Sequence, residues 1–309
     1  MPQQIAIHGV LIPAAAGGAL LLLLLLIDAV LRILAGRRAG GGGGGAARKF
    51  LSWLEVRASG WLAIVPAMAL VFILSFHARQ GLRWPPPTAW EWFAPAVAAI
   101  ALVAWFMPGW LAAAGAGAIT GWALLVPGLR DTNSRIGIGV CVLLLALVLV
   151  FLWRKGGAER HSRTSRALAC LTVAVPFAGL AGVVIASGFE KLTTNTAALA
   201  LFAVVAALLS LIFASVRASS ALAPLVAALL VGIAVIGAGY GPEDFPFWHW
   251  PVAVAAPLAA LVAEVPPDLW KRRPPLAAVV RLGAVSLVAF GNAGAALAPL
   301  IARGDFPPP

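Results

Sequence analysis

The sequence predicts an all-α, polytopic integral membrane protein of about ten transmembrane helices with short loops, and three observations predict it. Hydrophobic residues make up 62% of the 309-residue chain and charged ones only 11%, with a mean hydropathy of +0.98; soluble domains carry about 25% charged residues. Apolar stretches able to cross a hydrocarbon core of about 30 Å, which takes about 20 helical residues, recur along the whole chain. The Lys and Arg residues behind the net charge of +11 gather in alternate loops between those stretches. That is a topology signal and not a nucleic-acid surface, so no nucleic-acid partner is expected.

The first span, 9–34, carries the leucine run Leu20–Leu26. It lacks the basic n-region and small-residue cleavage site of a secretory signal and reads as a retained helix. A basic loop, 36–59, follows. Its glycines Gly40–Gly45 form a flexible linker. No Gly-Lys-Ser/Thr follows them, so they are not a phosphate loop. Phe50, Leu51, Trp53 and Leu54 among basic residues predict a short helix lying in the membrane interface, on anionic lipid headgroups.

The second span is 60–78, and Pro85, Pro86 and Pro87 forbid helix beyond it. The next apolar stretch is too long for one crossing, and Met107-Pro108-Gly109 splits it into spans 90–107 and 109–127. Span five, 136–153, leads to a second basic loop running from Arg154 to Arg166. Spans 167–188 and 196–216 are joined by a loop containing Phe189 to Asn195. Spans 220–240, 249–265 and 276–302 complete the ten.

Placing the loop 36–59 in the cytoplasm puts Arg37, Arg38, Arg48, Lys49, Arg57, Arg154, Lys155, Arg160, Arg163, Arg166, Arg217, Lys271, Arg272 and Arg273 on that side. The opposite side receives Arg79, Arg83, Arg130, Arg135, Lys191 and Arg303, with acids Glu91, Asp131, Glu190, Glu243, Asp244 and Asp305 among them. The bias predicts a multi-pass protein of the cell (inner) membrane with both termini outside the cytoplasm. Arg32 and Arg281 fall near cytoplasmic span ends, where they snorkel to the headgroups, and Asp28 is placed to pair with Arg32 at i,i+4. Cys141 and Cys170 lie inside spans without a CxxC or a Cys/His cluster and read as small packing residues.

Function is harder to read. No ionisable residue falls in the middle third of any predicted span, and HExxH, GxSxG and paired-carboxylate patterns are missing from the sequence. Catalysis is therefore not expected, and no cofactor is predicted. Asn292 is the most polar mid-span side chain, followed by Thr120, Thr172, Ser210 and Ser286. Pro66 and Pro176 each free a backbone carbonyl and are candidate hinges. Broken helices of this kind build midplane binding sites in carriers. The leading reading is thus a carrier or permease for a small neutral or weakly polar molecule, with Asn292, Pro66, Pro176, Trp90, Trp92, Trp248 and Trp250 as candidate substrate-binding residues.

The tryptophans open spans three and nine as Trp90-Glu91-Trp92 and Trp248-His249-Trp250, which reads either as an aromatic belt or as a parallel internal repeat. The alternative function is a non-catalytic membrane subunit or scaffold. Its partner, another membrane protein or a second copy, would meet Gly/Ala faces and the basic cytoplasmic loops, while the small-residue pairs Gly117/Gly121 and Gly291/Ala295 read first as close helix packing. A third reading makes His77 and His249, on the outer edge among tryptophans, the ligands of a haem in a haem-binding or assembly protein. Ten spans in about 300 residues also resembles the size class of the drug/metabolite transporters. Those have both ends inside, opposite to the charge bias here, and no motif supports membership.

Overall fold

The computed structural model describes residues 7–38, 60–80, 85–86, 88–107, 109–124, 131–155, 163–213, 216, 220–264 and 274–303. Of the basic loop, residues 36–38 belong to the first helix, and 39–59, where the interfacial helix is expected, lie outside the described residues. Among the described residues the chain is all-helical, without strands, and forms ten α-helices. These are α1 (Ile12–Arg38, after a π-turn Ile7–Leu11), α2 (Gly60–Gln80), α3 (Phe93–Phe106, after a 3₁₀ turn Ala89–Trp92), α4 (Gly109–Ala123) and α5 (Thr132–Lys155). They continue with α6 (Arg163–Ala186), α7 (Glu190–Ile212), α8 (Ala223–Tyr240), α9 (His249–Ala255, continuing as 3₁₀ helix Ala256–Glu264) and α10 (Pro274–Arg303).

Six of these elements are long and apolar enough to cross a membrane: α1, α5, α6, α7, α8 and α10. The chain is a membrane protein by that measure. Shorter apolar segments lie in α2, α3 and α9. The α3–α4 hairpin breaks where the sequence predicts, and Met107 takes the extended conformation (φ −99°, ψ 152°) that a residue before proline requires. Its helices have only 14 and 15 residues. Together with its 3₁₀ turn, α3 reaches roughly 29 Å, and α9 with its 3₁₀ half roughly 28 Å, because 3₁₀ geometry rises about 2.0 Å per residue against 1.5 Å in an α-helix.

The centre of the bundle is α8. Its side chains are buried on every side, 78% of its apolar window being inside the protein, as befits a helix that is hydrophobic all round. Helices α3, α4, α5, α6 and α9 pack on it, while α1 and α2 join through α7 and α3. Two aromatic rings sit directly on its glycines. The Phe93 ring of α3 occupies the space a Cβ on Gly232 would need, and the Trp250 ring of α9 does the same at Gly237.

Backbones also meet elsewhere. A Cβ on Gly117 or Gly121 would lie 2.6 Å from the carbonyl oxygens of Gly139 and Arg135, so the predicted GxxxG is the seam between α4 and α5. The second predicted small pair is misplaced. Gly291 and Ala295 are on the exposed face of α10, and nothing lies within 4 Å of a Cβ on Gly291. The packed face carries Ala289 and Ala293, which meet Gly179 and Gly182 of α6. Where α6 turns into α7, Gly188 has φ +71°, a left-handed conformation that favours glycine.

Two further expectations shift. The stretch Thr193 to Asn195 is not loop: α7 begins at Glu190 and carries it into the helix. Arg166 is no loop residue either. It lies within α6, 7% exposed, and its Nη2 donates to the Ser210 carbonyl at 3.4 Å.

Candidate functional site at the aromatic end of the bundle

One end of the bundle gathers the C-termini of α2 and α8 and the N-termini of α3, α7 and α9. Aromatic rings from these elements form a collar of two groups. Trp90 lies 5.1 Å from Phe76, 6.2 Å from Phe189 and 6.5 Å from Tyr240, ring centre to ring centre. Phe189 stacks on Tyr240 at 6.3 Å. Beyond the end of α8, Phe245 is 5.3 Å from His249 and 5.7 Å from Trp250.

The candidate tryptophans divide within this collar. Trp90 and Trp250 are buried core residues, Trp248 is exposed, and Trp92 is half-buried against Trp122 at 6.4 Å. In register, the buried member is therefore the first tryptophan of one WxW and the second of the other. The two motifs thus meet unlike surroundings.

Inside the collar the structure joins two residues that the sequence marks separately. His249, at the start of α9, is 3% exposed, and Asn292 of α10 is 5% exposed. His249 Nδ1 lies 2.8 Å from Asn292 Oδ1, and Asn292 Nδ2 donates to the His249 carbonyl at 2.8 Å. The second bond settles the first. A carbonyl only accepts, so the amide nitrogen must face it, the amide oxygen must face the ring, and Nδ1 must carry the proton. In the neutral ring Nε2 then holds the lone pair. The close approach of α10 to α6 through Ala289–Gly179 and Ala293–Gly182 holds Asn292 at this level.

Three of the four polar groups that the sequence ranks next to Asn292 are spent locally. Thr120, Thr172 and Ser210 donate to their own helices, at Ala116, Ala169 and Ala207. Three others have no such outlet. Thr193 Oγ1, Thr194 Oγ1 and Asn195 Oδ1 are buried without a hydrogen-bond partner, and Thr194 and Asn195 are 5% and 1% exposed. A buried polar atom left unpaired costs about 1–3 kcal/mol. These residues escape notice in the sequence because they look like loop; the signal for them is that the polar run continues without a breaker into Thr196-Ala-Ala-Leu.

The remaining candidates do not converge on this place. Pro66 is half-buried within α2, and Pro176 is buried within α6. His77 is exposed at the end of α2, and His249 is buried on α9, on helices that are not packed against each other. Of two cavities lined by described residues, one is a void of about 10 Å³ between Met68, Cys170, Phe202 and Leu222. It is at the lower limit of the volume a water needs, roughly 10–15 Å³, and offers no polar partner. The other is a groove of about 390 Å³ on the outer side of α4 and α5. Neither touches Asn292. No group of three or more His, Cys, Asp or Glu residues that would hold a metal occurs among the described residues. No protein-family model, curated protein or solved structure matches the chain.

Proposed function

We propose that the protein is a multi-pass carrier for a small neutral or weakly polar molecule, entered from the aromatic end. One observation carries the reading: Thr193, Thr194 and Asn195 keep buried oxygens unpaired inside an apolar bundle. Buried polar groups in native proteins are almost always paired, so a position that leaves three of them open suits a hydrogen-bonding guest. The open groups, two hydroxyls and an amide oxygen, carry no charge of their own and match a neutral hydrogen-bonding guest. His249 and Asn292 satisfy each other on α9 and α10, whereas the start of α7 packs beside the N-terminal turn, where Thr194 meets Gly9. Phe189, just before α7, joins Trp90 and Tyr240 in the rings that shield the site from the headgroups.

Proteoliposomes holding the full chain test this. After an osmotic shock with glycerol, urea or a small amide they re-swell several-fold faster than empty vesicles, and Asn195→Leu returns the rate to the empty-vesicle value while still inserting. Rates equal to empty vesicles across the panel end the reading.

The same proposal has the chain cross the inner membrane about ten times with both termini outside. Support comes from the basic bias of alternate loops and from the length that 3₁₀ geometry gives to α3 and α9. A cysteine placed at Glu243, exposed in the turn after α8, in a background without Cys141 and Cys170, reacts with an impermeant maleimide from outside intact cells. Reaction only after lysis reverses the orientation.

A second reading, a membrane subunit or scaffold without transport, is favoured by α10. Its outward face leaves Gly283, Gly291 and Gly294 with nothing within 4 Å of a Cβ, the smoothness that close helix association uses.

A further inference from the structure

The groove on the α4–α5 hairpin has the form of a site for an anionic amphiphile. We propose that it holds one phospholipid, with a phosphate oxygen on the Arg135 guanidinium and one acyl chain along the seam of the two helices. The floor exists because Gly117 and Gly121 let α4 lie on the backbone of α5 at Gly139 and Arg135. Trp122, Ile136, Val140 and Leu143 form its walls. Its volume of about 390 Å³ lies within the range of small-molecule sites, about 300–1,000 Å³.

Depth and charge select the occupant. From Thr132 to Leu143 the groove runs roughly 16 Å along α5, about half of a 30 Å hydrocarbon core and so the depth of one leaflet. Its polar end is the end where Trp122 meets Trp92 edge to face at 6.4 Å, as aromatic side chains do at headgroup level. Arg135 stands there half-buried, and its Nε is buried without a hydrogen-bond partner.

Asp131, one turn earlier, is the natural ion-pair partner for Arg135 but is engaged elsewhere. The backbone N–H of Ser134 donates to Asp131 Oδ2 at 2.9 Å, capping α5. Hydrogen bonds from the side chain and backbone of Ser134 hold the Asp131 carboxyl below its ordinary value. The groove is thus a long apolar slot ending in one cation that wants an oxyanion. α4 and α5 themselves carry no acidic residue to answer Arg135.

Native mass spectrometry of the full chain, with phosphatidylglycerol or phosphatidylcholine supplied in the detergent, tests the assignment. The expected result is one retained lipid per chain, with phosphatidylglycerol held about tenfold better, a difference of about 1.4 kcal/mol. Arg135→Gln removes that preference. Ala118→Phe, at an exposed residue of the groove, abolishes retention while thermal unfolding stays that of the wild type. Two results overturn the proposal: equal retention by both variants, or a lipid-free dimer that Ala118→Phe splits, which would give the groove to a second copy.

Discussion

Replacing Asn292 by Leu destabilises the protein by about 1–3 kcal/mol, the cost of leaving a buried donor without its acceptor. The loss falls on His249, whose Nδ1–H faces Asn292 Oδ1 at 2.8 Å and whose carbonyl accepts from Nδ2 at 2.8 Å. With both residues buried, water does not repair the gap. The asymmetry between single and double changes distinguishes this pair from ordinary packing. His249→Leu alone strands the Asn292 oxygen, whereas His249→Leu with Asn292→Leu leaves neither side-chain group unpaired and is less damaging than the sum of the two. Unfolding of the purified protein in mixed detergent, followed by tryptophan fluorescence, measures all four members of the cycle. A strictly additive double variant would show that the two side chains contribute independently and that their hydrogen bond contributes nothing.

Each partner was visible in the sequence, Asn292 as the most polar mid-span side chain and His249 as a histidine set between tryptophans. Their pairing was not. Forty-three positions separate them, and which turn of α10 faces the start of α9 depends on the register of α10 against α6, where Ala289 and Ala293 settle onto Gly179 and Gly182. Sequence periodicity reports that a helix has a small-residue face without saying which of several such faces finds a partner. α10 has two, and hydropathy does not separate them, because lipid is as apolar as the protein interior. The same physics hid Thr193 to Asn195. Counting apolar residues ends a span at the first polar run, while α7 continues through it to Glu190, burying those groups between neighbouring helices. What composition does determine is the class of protein, since a chain with 11% charged residues has little polar surface to offer water.

The two faces of α10 make opposite demands, and leucine placed on either side of the α6–α10 contact separates them. Gly179→Leu is expected to cost about 1–3 kcal/mol or more by overpacking. A Cβ there would stand 2.7 Å from the Ala289 Cβ and 2.8 Å from the Ala289 carbonyl oxygen, and a backbone oxygen does not move aside as a flexible side chain does. As α10 is pushed outward it carries Asn292 from His249, so the loss includes part of the hydrogen-bonded couple as well as the packing. Gly291→Leu meets nothing within 4 Å and stays within about 0.5 kcal/mol of the wild type in the same unfolding measurement, as surface changes do. Equal losses at the two positions would place α10 in a different rotation and undo the assignment of its buried face. The outer substitution also reports on what α10 is for. If Gly291→Leu leaves stability and solute flux untouched but converts a larger assembly into single chains on size-exclusion chromatography, the open glycines are a contact surface and the scaffold reading gains its first support. If the chain is monomeric with either residue, that face meets only lipid, and the carrier reading stands on the buried hydroxyls and amide of α7.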